Sequence, residues 1–89
     1  MSHIVKRAGH KEPYDQKKVY ASVYAACMSL RVQQQEAELI AEKVTGEINE
    51  IIADKSEVTS HQLFVEISSS LERLNPEAAF LYRTHMDVS

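Results

Sequence analysis

Residues 4 to 19 hold the densest set of chemically capable side chains in this sequence: Ile4-Val5-Lys6-Arg7-Ala8-Gly9-His10-Lys11-Glu12-Pro13-Tyr14-Asp15-Gln16-Lys17-Lys18-Val19. Ile4 to Arg7 read as a short strand, Ala8-Gly9 as a turn and Lys11 to Tyr14 as the returning strand. Alternation along a strand sends Lys6 to one face and Arg7 to the other, and the return brings Glu12 and Tyr14 close to the first strand. Asp15 is placed to cap a helix whose first turn carries Lys17 and Lys18. Lysines on a hairpin and at a helix start can converge on a phosphate chain, helped by the helix dipole. Glu12 and Asp15 can accept from an exocyclic amine, while Ile4, Tyr14 and Val19 can flank a flat base. The same residues also suit a surface hairpin with ordinary charge pairs. Residue types alone leave both readings open.

The rest of the chain offers little chemistry. None of His3, His10, His61 and His85 lies four residues from another, so no helical metal-ligand pair is written in the sequence. His3 and His10 could face each other across the hairpin, but two ligands do not make a site. Cys27 falls on an apolar stripe, where a small buried thiol is the ordinary role. No Gly-rich phosphate loop and no dinucleotide-binding glycine pattern is present. The expectation is a protein that is not an enzyme.

Charge divides the chain unevenly. Residues 6 to 18 carry five basic and two acidic side chains, whereas residues 19 to 89 carry five basic and eleven acidic ones, for a net charge of −3. Basic charge gathered in one short segment of an acidic protein suggests a small anion site rather than a long phosphate-tracking surface. Nucleic acid is therefore not expected as a partner.

The elements that must position this segment are mostly helical. Val19, Val23, Cys27 and Leu30 recur at helical spacing after Asp15, with Tyr20 and Tyr24 on a flank. After a break at Ser29-Leu30-Arg31, a helix is predicted from about Gln33 to Ala53, striped by Ala37, Ile40, Ala41, Val44, Ile48, Ile51 and Ile52. Asp54 to Val58 is a polar connection with room for a short strand. Thr59-Ser60-His61-Gln62 matches the capping-box pattern and starts a third helix, buried through Leu63, Ile67, Leu71 and Leu74. Asn75-Pro76 starts a fourth, carrying Ala79, Phe80 and Tyr82 and fraying near Met86. The 89 residues suit one domain over positions 1–89. One cysteine cannot form an internal disulfide, and no apolar run approaches the ~20 residues of a membrane span. A cytoplasmic protein without membrane contact is expected.

The segment resembles the opening of the ATP-cone domain, through Ile4-Val5-Lys6-Arg7, Gly9, Glu12, Tyr14-Asp15 and Lys18-Val19. Val58-Thr59-Ser60 and Leu74-Asn75-Pro76 resemble that family's later helix entries, so the likeness covers nearly the whole chain. It implies an α+β fold, a small two- to three-stranded antiparallel sheet capping a four-helix cluster. It also implies a regulatory domain, as in ribonucleotide reductases and a bacterial repressor of their genes. Such a domain binds ATP or dATP, with Mg2+ accompanying the triphosphate, and changes the oligomeric state of what carries it. The implied partners are the adenine nucleotide and either further copies of the chain or a reductase-type protein. By position, Lys6, Arg7 and Lys18 would contact phosphates, Glu12 and Asp15 the base or ribose, and Ile4, Tyr14 and Val19 the adenine. Val5 belongs to the same nucleotide-binding motif, and Thr59 would add a polar contact. Leu63 stands where some members have histidine, and Arg83 is the basic residue available near the last helix. The alternative is a degenerate cone that serves as a protein-interaction module without nucleotide.

Overall fold

Three polar side chains convert extended chain into helix at three points. The computed structural model describes residues 2–6 and 9–88. Asp15 accepts from the Lys17 N–H at 2.9 Å and starts α1, Gln16–Ser29. Thr59 accepts from the Gln62 N–H while the Gln62 side chain accepts from the Thr59 N–H, both at 3.0 Å; this capping box starts α3, Ser60–Leu74. Asn75 accepts from the Ala78 N–H at 3.1 Å and Pro76 opens α4, Pro76–Val88. Each bond satisfies a backbone donor that the first helical turn would otherwise leave unpaired. The remaining helix, α2, spans Gln34–Ile52.

The helices bury the stripes read from the sequence. Val23, Cys27, Ala37, Ala41, Val44, Ile48 and Leu71 are fully buried, with Ala78 and Ala79 closing the core from α4. Burial, and then the nearby Glu36 charge, pushes the Cys27 thiol up from its ordinary pKa, which keeps it an inert core group. Tyr20 and Tyr24 stack on the α1 flank at 6.2 Å. Glu47 of α2 accepts from both Ser70 and Arg73 of α3, pinning those two helices.

Strands β1, His3–Val5, β2, Lys11–Pro13, and β3, Glu57–Thr59, form a sheet in the order β2-β1-β3. At the hairpin, Gly9 takes φ +80°, a conformation open to glycine without strain, and its N–H donates to the Lys6 carbonyl at 2.9 Å. β1 pairs antiparallel with β2 but parallel with β3. The sheet is therefore mixed, not the purely antiparallel one expected. A parallel neighbour needs a long crossover, and the hairpin with α1 and α2 supplies one.

Several local expectations are corrected. His3 lies opposite Pro13, not His10, so the two histidines do not face each other. Leu74, expected on the buried side of the third helix, is exposed. On α4, Ala78, Ala79 and Tyr82 turn inward and Phe80 is 61% exposed. α4 also continues to Val88, beyond the expected fraying point. Arg7 and Ala8, part of the expected strand and turn, lie outside the described residues.

Candidate functional site

Register decides which residues of the sheet can meet a ligand. Ile4 pairs with Glu12 on one side and Val58 on the other, so these three share the face turned toward the helices. Lys6, two residues beyond Ile4, continues along that face. Val5 pairs with Lys11 and Thr59, so these belong to the opposite, outward face.

A cleft of about 160 Å³ opens where the inward face meets α1, α3 and α4. Its floor is apolar, made by Ile4, Val19, Ile67 and Tyr82, each 5% exposed or less. Leu63 and Phe64 of α3 form one wall, Pro13 and Tyr14 another, and Ser22 and Ser60 place hydroxyls at the edges. Phe64 stacks on Tyr82 at 5.7 Å with the rings 22° apart, which fixes that wall. Burial pushes the Tyr82 hydroxyl up to about 12, so it stays protonated at neutral pH. Small-molecule pockets usually enclose ~300–1,000 Å³. This slot suits one flat ring with the remainder of a ligand lying along its rim.

The rim carries the charge. Glu12 Oε1 lies 3.4 Å from Lys6 Nζ and 3.8 Å from Lys18 Nζ, so one carboxylate oxygen stands between two ammonium groups. Lys6 follows the end of β1 and Lys18 lies on the first turn of α1, which the Asp15 cap starts. Asp15 also borders the cleft, but one of its oxygens is engaged by the Lys17 N–H. Tyr14 is held from behind: its hydroxyl donates to Asn49 Oδ1 at 2.8 Å, and Asn49 Nδ2 donates to Gln16 Oε1 at 2.8 Å. Burial, and then the Asp15 charge, raises the Tyr14 hydroxyl above its ordinary pKa, which keeps it a donor to Asn49.

Seven of the expected site residues thus line one cleft: Ile4, Lys6, Glu12, Tyr14, Asp15, Lys18 and Val19. Val5 and Thr59 do not, because both lie on the outer face and the Thr59 hydroxyl is engaged in the capping box. Arg7 is outside the described residues. Arg83 is turned away and pairs with Glu72 at 3.2 Å. His61 packs against Phe64 at 6.3 Å from outside the cleft, leaving Leu63 as the neighbouring wall residue. Pro13, Ser22, Ser60, Phe64, Ile67 and Tyr82 line the cleft without being expected there from the sequence. Ser60 was signalled by its place beside the Thr59 cap; Phe64 and Ser22 carried no comparable mark.

A larger groove, about 520 Å³, runs between α1 and α4 and shares only Ser22 and Tyr82 with the cleft. Its lining of Ala25, Ala26, Ser29, Leu81, Thr84 and His85 contains no lysine, arginine or carboxylate. Charge, rather than size, singles out the smaller site. Among the described residues no cluster of three or more histidine, cysteine or carboxylate groups is placed to hold a metal ion. Among the same residues no helix is long and apolar enough to cross a membrane.

The family model of the ATP cone domain matches residues 2–84. The chain is similar to the transcriptional repressor NrdR of Bdellovibrio bacteriovorus, 27% identical over 96% of this chain and 45% of the relative. It is also similar to NrdR of Mycobacterium avium, 33% identical, and of Mycobacterium tuberculosis, 32% identical, each over 88% of this chain and 49% of the relative. The chain spans about half the length of the curated relatives it matches. These relatives correct one expectation. The charge distribution predicts no nucleic-acid partner, yet these relatives are transcriptional repressors. Net charge describes this chain as a whole and says nothing of the surface through which a repressor reaches DNA.

Proposed function

The chain belongs to the ATP-cone domain family, a regulatory rather than catalytic class, and on that premise we propose that its cleft is a sensor site for an adenine triphosphate, ATP or dATP. The observation that carries this reading is the pair Lys6 and Lys18 meeting over an apolar slot. The slot takes the base between Ile4, Val19 and Tyr14, and the two ammonium groups take the phosphates, with Mg2+ accompanying them. Glu12 and Asp15 accept from the ribose or the base. Arg7 is assigned to the phosphates by its motif position. Val5 and Thr59 serve this site from behind, as sheet and helix cap, rather than by contact. Residues 1–89 act as one unit in this reading. The bound nucleotide shifts an assembly equilibrium by preferring one state, among copies of the chain or with a reductase-type partner. The repressor relatives add a second partner class: the protein that uses this domain acts on DNA in response to the nucleotide.

Thermal unfolding with ATP, dATP, ADP and GTP, each at millimolar concentration with Mg2+, tests the reading. A ligand at 100 times its Kd that binds only the folded chain adds ~2.7 kcal/mol, a rise of roughly 10 °C or more in a domain of this size. A rise with ATP and dATP but not GTP is expected. No rise with any of the four overturns the sensor.

A further inference from the structure

We infer that Glu12 is the selectivity residue of the cleft: by pairing Lys6 and Lys18 it rejects anions that bring no hydrogen-bond donor of their own. This deepens the proposed nucleotide site and rests on it. The same oxygen, Oε1, faces both ammonium groups, at 3.4 and 3.8 Å. A phosphate that reaches both lysines therefore enters the space beside a carboxylate of like charge. The lysines are the parts that can yield, because their side chains are 48% and 72% exposed against 30% for Glu12. Glu12 is fixed by its strand, opposite Ile4 on the floor and followed by Pro13, whose ring limits the backbone.

When the lysines swing onto a phosphate, Glu12 is left as an ionised acceptor at the wall of an apolar slot. Its side chain is 30% exposed, so water replaces the two lysines only in part and a donor from the ligand is favoured. A sugar hydroxyl or an exocyclic amine restores the bond, whereas fully deprotonated, Mg2+-bound tripolyphosphate has no donor to offer. The cleft thus selects a phosphate chain carrying a neutral donor, and excludes a phosphate chain alone. Glu12 is in this sense a built-in competitor that a nucleoside can satisfy and a bare phosphate chain cannot.

Calorimetric titration of the chain and of Glu12→Gln with MgATP and with Mg2+-tripolyphosphate, at a pH where both are fully deprotonated, tests the inference. Glutamine keeps the shape and an acceptor oxygen but removes the charge. Tripolyphosphate affinity is expected to rise about five- to tenfold in E12Q. ATP affinity rises less or falls, so the preference for ATP over tripolyphosphate shrinks by a similar factor. Glu57→Gln, the same charge change on the other face of the sheet, leaves that preference unaltered. Unchanged or weaker tripolyphosphate binding in E12Q, or an equal gain in E57Q, overturns the role of Glu12. An unmutated chain that binds neither ligand defeats the sensor reading instead, and a gain of tripolyphosphate binding in E12Q then still supports Glu12 as the group that masks the lysines. Thermal midpoints of both variants within a few degrees of the unmutated chain show that folding is not the cause.

Discussion

The two faces of the sheet use the same ingredients to opposite ends. On the outer face Lys11 of β2 pairs with Glu57 of β3, one cation to one anion, in open solvent. On the inner face one carboxylate, Glu12, serves two lysines beside an apolar floor. An exposed one-to-one pair is electrically complete and stabilises little. Two lysines sharing one carboxylate over an apolar slot keep unspent capacity for an anion. Salt bridges of similar appearance therefore differ in meaning according to stoichiometry and to what lies beneath them.

The sharpest way to break the contrast is to remove the floor. Ile4→Ala deletes a side chain that is 5% exposed at the sheet centre, and should cost about 2–5 kcal/mol in urea unfolding. Val5→Ala, one residue along but on the outer face, should cost less than half as much; equal losses would remove the distinction between faces. Next in size are the cations. Lys6→Ala or Lys18→Ala should weaken ATP binding by about 1.5–3 kcal/mol, read by calorimetry. Lys11→Ala should leave it unchanged. Thr59→Ala should lower stability by about 1 kcal/mol through the lost cap while ATP affinity holds, and a loss of affinity would return Thr59 to the contact set.

The smallest effect is in pH. The hydrogen bond from Lys11, and then its charge, holds the Glu57 carboxyl below its ordinary pKa. A depressed folded pKa contributes stability that is present above the unfolded value of about 4.3 and lost as pH falls through the folded one. The melting difference between the unmutated chain and Glu57→Gln should therefore be slight near neutrality and close as pH drops below about 4. A difference that widens on acidification would contradict the outer pair.

What the sequence disclosed was local. Asp15, Thr59 and Asn75 announced their helices because a cap needs only a side chain and a backbone N–H two or three residues on. The α2 stripe was legible from its period. The inner lysines and Glu12 were legible because the hairpin and the next helix are contiguous. What stayed hidden depends on distant chain. The three residues of β3 carry no mark of strand direction, so the parallel pairing was not foreseen. The assignment of Val5 and Thr59 to the outer face follows from that register, and a shift of one residue would reverse it. Phe64 and Tyr82 meet only after two helices pack, and Phe80 is exposed for the same reason: the α4 rotation is set by its neighbours.

The pairing of β1 with β3 has a consequence in time. It is secured by the His3 N–H on the Ser56 carbonyl at 3.0 Å and by the Ser2 hydroxyl, which lies 2.8 Å from the Ile52 carbonyl and 2.7 Å from that of Lys55. The first residues of the chain thus wait for partners some fifty positions away. At a translation rate of ~5–20 residues per second, the hairpin is synthesised a few seconds before its third strand. During that interval β1 has one open edge and Ile4 no roof, so this strand is open to mispairing, and the cleft forms only once α3 and α4 have followed.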